Sequence, residues 1–176
     1  MSLSPKLKIR LLAKKDKEIV LKWANERVTR RFSLNPKKIG ETQHERWFQT
    51  ILRSRSANPA FIIQNENRVR IGIVRFSQFG EMSKKWKIHF TVAPEQRGKG
   101  LAAPMIRKAM RRLFKNHPRS KVCAIVKKHN YRSRDVLRSL GFRVLRKNKK
   151  NRNIFQLEFG PLKKNRSKKI AGKQKF

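Results

Sequence analysis

Residues 92–102 read VAPEQRGKGLA. They follow Lys85–Val92 (KWKIHFTV), where Trp86, Ile88, Phe90 and Val92 alternate with polar neighbours, the period of a strand with one buried face. Beyond them Leu101, Met105, Ala109, Met110, Leu113 and Phe114 recur at helical spacing, which predicts a helix of about four turns. Gly98 and Gly100 let the backbone adopt unusual conformations and approach a ligand closely. The first amides of the following helix lack intrahelical partners and, with the helix dipole, favour an anion such as a pyrophosphate. Two common phosphate loops are excluded. No Gly-Lys-Ser/Thr follows at the Walker spacing, and Ala103 stands where Gly-x-Gly-x-x-Gly needs its third glycine. On these residues alone, a plain strand-to-helix turn stays equally open.

Working outward, residues 7–12 predict a short strand and residues 16–29 a helix carrying Ile19, Val20, Trp23 and Ala24 on related faces. A loop at 33–40 precedes a second helix at 42–52, with Thr42 and Glu45 at capping-box spacing. Residues 60–64 and 70–79 read as a hairpin, and a turn at 80–83 leads into Lys85–Val92. Residues 121–126 predict a buried strand, 130–140 a helix closed by Gly141, and 142–146 with 153–159 a last hairpin. The order β-α-α-β-β-β-α-β-α-β-β contains no repeat. It predicts an α/β fold: a mixed, mostly antiparallel sheet with a central parallel pair, 85–92 beside 121–126, and helices on both faces.

The chain of 176 residues suits one domain, expected at 1–162, with 163–176 a basic, disordered tail. Eleven Phe and three Trp supply a core, yet 48 Lys and Arg stand against 10 Asp and Glu, a formal charge of +38. Such a field attracts polyanions, and because the cations are spread along the chain, non-specific nucleic-acid binding is the expected form of that attraction. Cys123 has no cysteine to pair with, which suits a reducing compartment. No signal-peptide pattern and no run of membrane-spanning length is present, so a cytoplasmic protein is expected. No metal site is expected either.

Arg97-Gly-Lys-Gly-Leu-Ala102, preceded by Val92-Ala-Pro94, resembles the acetyl-CoA pyrophosphate loop of the GNAT superfamily of N-acetyltransferases. Asn130-Tyr-Arg-Ser133, followed by Leu140-Gly141-Phe142, resembles that superfamily's second signature, and both motifs sit at the right places in the element order. The resemblance covers most of residues 7–160. It implies the GNAT fold, and acetyl-CoA as cofactor, with its pyrophosphate on the amides of Arg97, Gly98, Lys99, Gly100, Leu101 and Ala102. It further implies the pantetheine arm and thioester carbonyl on backbone groups near Thr91 and Val92, and the arm's far end on Asn130 and Ser133. Arg97 and Lys99 are expected to add charge to the pyrophosphate site. Pro104 delays the regular helix to about Leu101.

Acetyl transfer requires a neutral amine, whereas an alkyl ammonium holds its proton to about pH 10.4. His89, on the strand entering the turn, is the candidate base, with Glu81 and His44 as further options; Lys87 occupies the place of a glutamate found in related enzymes. The superfamily's usual general-acid tyrosine is replaced by Leu137, and Tyr131 lies in a different turn. Trp23-Ala24-Asn25-Glu26, His44-Glu-Arg-Trp47-Phe48 and Val74-Arg75-Phe76 resemble GNAT enzymes acting on amino-sugar nucleotides in pseudaminic-acid-type pathways, although Ala24 replaces a common arginine. This implies an acceptor site of Trp23, Asn25, His44, Trp47 and Arg75, and a small-molecule amine as partner. Two alternatives stay open: acetylation of a protein amine, as in ribosomal-protein N-acetyltransferases, and a catalytically silent basic module that binds nucleic acid.

Overall fold

Residues 6–79, 84–147 and 153–160 are described by a computed structural model. The expected turn at 80–83, with Glu81, lies outside the described residues, as does the tail from 163 onward. The strands are β1 (Lys8–Leu11), β2 (Ala60–Gln64), β3 (Arg70–Gln78), β4 (Lys85–Val92), β5 (Lys121–Lys127), β6 (Arg143–Lys147) and β7 (Ile154–Phe159). They form one sheet in the order β1-β2-β3-β4-β5-β7-β6. Only β4 and β5 pair in parallel; every other neighbouring pair is antiparallel. Helices α1 (Lys17–Asn25), α2 (Arg27–Phe32) and α3 (Glu41–Arg53) precede β2, α4 (Ala102–Asn116) joins β4 to β5, and α5 (Tyr131–Ser139) follows β5. The mixed sheet with its central parallel pair is as the sequence predicts.

Alternation along the strands sorts the core into two layers. On one face Phe76, Trp86, Ile88, Val122, Ala124 and Leu157 meet α4 and α5 through Met105, Ile106, Ala109, Leu113 and Leu137. On the other, Ile62 and Ile73 meet α1 and α3 through Val20, Trp23, Phe48 and Ile51. Gly72 is the tight point of the sheet, because a Cβ there would run into the carbonyl oxygen of Thr91. Asp16, fully buried, accepts from Arg10 at 2.6 and 2.7 Å, from Arg70 Nε at 3.2 Å and from the Ala13 amide at 3.0 Å, tying the start of α1 to β1 and β3. Burial alone would raise its pKa, but the bonds and charges of these partners hold it below the usual range.

Two expectations need correction. The helix predicted across 16–29 breaks at Glu26, whose backbone is extended (φ −61°, ψ 141°) and whose carboxylate caps a new helix by accepting from the amides of Val28 and Thr29 at 2.9 and 3.0 Å. The capping box of Thr42 and Glu45 does not form either. Gly40 is the N-cap of α3, Thr42 lies inside the helix, and Glu45 bonds Lys17 and Gln49.

Candidate active site

Strands β4 and β5 pair only between Lys85–Lys87 and Lys121–Cys123, while β5 continues beside β7 to Lys127. Beyond Lys87 the two parallel strands therefore part and leave a wedge-shaped gap. The Ala93 amide donates to the Ile71 carbonyl at 2.9 Å, so position 93 faces β3. Since backbone groups alternate sides, Thr91 is also held in the β3 ladder, while Phe90 and Val92 turn their N–H and C=O toward the gap. Of the two positions expected to hold a thioester arm, Val92 turns its main chain to the gap, with its carbonyl accepting from Arg97 Nε at 3.4 Å, and Thr91 does not; Phe90 shares the orientation of Val92.

At the mouth of the gap a 3-10 turn, Pro94–Gln96, leads into Gly98 and Gly100, whose φ angles of 78° and 68° lie in the left-handed region. The Arg97 amide is occupied by the Pro94 carbonyl at 3.3 Å. Among the described residues no backbone carbonyl accepts from the amides of 98–103, and the first helical bond runs from the Met105 amide to Leu101 at 3.1 Å. Helix α4 begins at Ala102, so Pro104 falls in its first turn, where an N–H has no intrahelical partner anyway. The result is a run of exposed donors at the positive end of a four-turn helix, able to bind a pyrophosphate without any side chain.

The Arg97 side chain is committed elsewhere, against expectation. Its guanidinium meets Glu26 at 2.7 Å and Thr29 Oγ1 at 2.9 Å, and its Nε reaches the Val92 carbonyl at 3.4 Å. Burial pushes the Glu26 carboxyl up, but the Val28 amide, Arg97 and the Thr29 amide outweigh it and bring the pKa down to about 2. At the opposite end of α2, Lys127 Nζ donates to the Arg31 carbonyl at 3.1 Å. The helix thus bridges the open end of the gap, pinned to the loop after β4 and to the last residue of β5. Lys99 Nζ bonds Gln96 at 3.1 Å. The Asn130 carboxamide oxygen caps α5 by accepting from the Ser133 amide at 3.2 Å.

The acceptor residues divide into two groups. Trp23 is a core side chain, 1% exposed. Asn25 is spent on the loop before α3, exchanging two 2.8 Å bonds with the backbone of Ile39. His44 is buried with Nε2 on the Lys17 carbonyl at 3.0 Å. Burial takes Trp23 and His44 away from an acceptor, which corrects the role expected of them, while Asn25 keeps only its second N–H and second lone pair for one. A depression of about 330 Å³ lined partly by Asn25, Ile39 and Glu41 contains neither His89 nor Arg75.

The second group is brought together. Arg75 on β3 lies directly across the ladder from His89 on β4, and its guanidinium sits 5.2 Å from the centre of the Trp47 ring. No carboxylate or hydrogen-bond partner meets Arg75 among the described residues. Burial lowers its pKa to about 10. His89 points to the same face, opposite the buried Ile88. Burial first, then the charges of Arg75 and Lys87, lower its pKa to about 2. It is therefore a neutral imidazole, and a weak proton acceptor. Leu137, on the inner side of α5, is fully buried and carries no proton to give, while Tyr131 is half exposed against Arg134 (4.8 Å).

The sequence profile of the acetyltransferase (GNAT) domain matches residues 6–143. The chain belongs to this family. It is a GNAT acetyltransferase, and GNAT acetyltransferases use acetyl-CoA. No curated protein matches the chain significantly. Among solved structures, a domain from Methanocaldococcus jannaschii is 22% identical with a TM-score of 0.74, covering 90% of this chain and 100% of that one. The spermidine N-acetyltransferase of Vibrio cholerae in complex with CoA and spermine is 18% identical, with a TM-score of 0.74 over 88% of this chain and 95% of that one. At these identities the likeness establishes the fold.

The GNAT donor site fits what the chain offers: free amides at 98–103 for a pyrophosphate, and the Val92 amide with the main chain of Phe90 at the strand edge for an amide-rich arm. When bound, acetyl-CoA supplies the activated acetyl group. The sequence assigns no site role to Glu26, Thr29 and Lys127, which shape the gap through α2. A visible signal was Glu26 itself, a lone acid ahead of RVTRRF. Among the described residues no helix is long and apolar enough to cross a membrane, and no cluster of His, Cys, Asp and Glu could hold a metal ion.

Proposed function

We propose that this GNAT domain acetylates the primary amine of an anionic small molecule, with a nucleoside-diphosphate-linked amino sugar as the best-fitting class. The observation that carries the reading is Arg75. A guanidinium half-buried over Trp47, beside the reacting strand and without a carboxylate, is an incomplete ion pair whose natural complement is a phosphate or carboxylate of the acceptor. Arg75 and Lys87 also lower the pKa of an incoming ammonium by charge repulsion, so its proton can leave to water. His89 would then orient the amine by accepting a hydrogen bond rather than carry the proton away as a cation. The Val92 amide is suited to the oxyanion of the tetrahedral intermediate. Departure of the thiolate needs no tyrosine in such a field.

A polyamine is the second reading, favoured by the fold shared with a spermidine N-acetyltransferase. The same cations oppose it. Thiol release from acetyl-CoA, measured with a nucleotide-linked amino sugar, the free amino sugar and spermidine, separates the two. The nucleotide-linked sugar should exceed both others in kcat/KM by about 10-fold or more, an effect of one charge-assisted pair. Arg75→Met should erase that margin mainly through KM and leave acetyl-CoA binding unchanged. Preference for spermidine, or an Arg75→Met variant that keeps the margin, would sink the anionic-acceptor reading.

A further inference from the structure

Helix α4 does more than begin with the pyrophosphate amides. Its apolar side chains, Met105, Ile106, Ala109, Met110 and Leu113, are buried against the sheet. At 100° per residue the face opposite them carries Arg107, Lys108, Arg111 and Lys115 within an arc of about 100°. Arg107, Arg111 and Lys115 are exposed and four residues apart, so they form a row about 12 Å long at 1.5 Å per residue. None of these four has an ion-pair or hydrogen-bond partner among the described residues. Like charges at this spacing repel, and nothing in the fold relieves them.

The rest of the molecule handles its charge differently. Six of the ten acids, Asp16, Glu26, Glu45, Glu66, Asp135 and Glu158, are paired with Lys or Arg. Between Glu95 and Asp135 lie 39 residues with no acid and 13 Lys or Arg, the longest acid-free stretch of the chain, and α4 runs through its middle. Among the described residues, unpaired cations such as Lys14, Lys15 and Lys22 lie elsewhere too, but this acid-free stretch places four together on one surface of α4. That surface faces away from α1, α3 and the Arg75–His89 face, which lie across the sheet.

We infer that the outer face of α4 is a docking surface for the phosphodiester backbone of a nucleic acid. A row of about 12 Å spans three to four phosphates of one strand at about 3.4 Å each. A membrane surface fits less well, because the apolar side of α4 is already inside the core and leaves nothing to insert between lipids. An acidic protein fits less well too, since the row lacks the buried aromatic anchor of a protein interface. Docking there would leave the acceptor face open, so acetyl transfer and nucleic-acid binding are compatible. The inference does not depend on which amine is acetylated.

The full chain is titrated with a 20-base-pair RNA duplex, the same DNA duplex and phosphatidylglycerol vesicles across a salt series. Arg107→Gln/Arg111→Gln/Lys115→Gln is compared with Lys14→Gln/Lys15→Gln/Lys22→Gln, which removes equal charge around the start of α1. The α4 variant should bind nucleic acid at least about 10-fold more weakly at physiological salt and lose about 2.7 from the log–log salt slope, three contacts at about 0.9 each. The control should change less than about 3-fold, and both should keep their acetyl-CoA-induced rise in Tm. Arginine protection by bound nucleic acid in the unmodified chain gives the same assignment without any substitution. RNA or DNA preference names the source of the backbone. Equal losses in both variants, protection spread evenly over the chain, or vesicles binding more tightly than either duplex overturns the inference.

Discussion

The two sides of the gap between β4 and β5 are made of different material. On the donor side the groups on offer are main-chain amides at 98–103 and the strand edge at Phe90 and Val92, while the nearby side chains are tied up: Arg97 by Glu26 and Thr29, Asn130 by Ser133. On the acceptor side the offer is a trio of side chains, Arg75, Trp47 and His89. A main-chain site tolerates almost any sequence that preserves its dihedral angles, so it marks the ligand that all members of the family share. A side-chain site changes with each substitution, so selectivity belongs there.

The largest expected effect tests the donor side where it is most brittle. At Gly100 a Cβ would meet no protein atom within 4 Å, so the constraint is the φ of 68° alone. Gly100→Val places a β-branched residue in a left-handed conformation and pushes its branches into the path of the anion. At 100 times its Kd, acetyl-CoA adds about 2.7 kcal/mol to the stability of the unmodified protein. In the variant that stabilisation should vanish, as read by thermal unfolding with and without cofactor. If the full rise in Tm survives, the 98–103 turn is not the pyrophosphate site.

Next in size is the boundary between the two sides. Arg97→Ala removes the tether from the loop to α2 but none of the amides at 98–103, so it should lower stability by about 1 kcal/mol while changing acetyl-CoA affinity by less than about 3-fold. A loss near 100-fold would return the guanidinium to the pyrophosphate. Glu26→Ala loses the helix cap as well, for about 1–2 kcal/mol. Its pH dependence gives an independent check. The Glu26 carboxyl titrates near 4.5 when unfolded and at about 2 when folded, so its contribution is complete above pH 4.5 and fades as pH falls toward 2. Glu26→Gln should flatten the acid limb of the stability curve in that window.

The same contrast explains what could be read in the sequence. The bounds of β4, the start of α4 and the parallel pair with β5 follow from period-two alternation, paired glycines and a helical stripe, which are local backbone signals. The break at Glu26 does not, because hydrophobic periodicity runs smoothly from Ile19 to Val28 and cannot register a carboxylate turning back onto two amides. Glu45 fails as a capping partner because the helix starts two residues before Thr42, at the N-cap Gly40, which leaves Glu45 five residues in, where it meets Lys17 at 2.7 Å. Trp23 and His44 looked like ligand-facing residues, yet the stripe that places them beside Val20, Phe48 and Ile51 is also the stripe that buries them. Arg75 and His89 are 14 positions apart in sequence, and only the β3–β4 register makes them neighbours.

The acceptor side is probed through His89, by an effect no larger than that expected at Glu26. Were it a proton acceptor of ordinary affinity, kcat/KM would bend near pH 6.5. With burial and the charges of Arg75 and Lys87 bringing its pKa to about 2, the profile should instead rise smoothly with ionisation of the amine substrate. Stability carries the same signature. Between pH 6.5 and 2 the unfolded imidazole takes up a proton that the folded one refuses, so the unfolded state binds more protons and stability declines as pH falls through that window. The loss attributable to His89 is on the order of 1–2 kcal/mol at pH 5. His89→Gln should therefore gain on the unmodified protein between pH 7.5 and pH 5, with the shared contribution of the buried His44 cancelling between them. Melting curves at the two pH values measure the gain. A parallel fall in both proteins would mean that His89 is protonated in the folded state, and would restore it as the base.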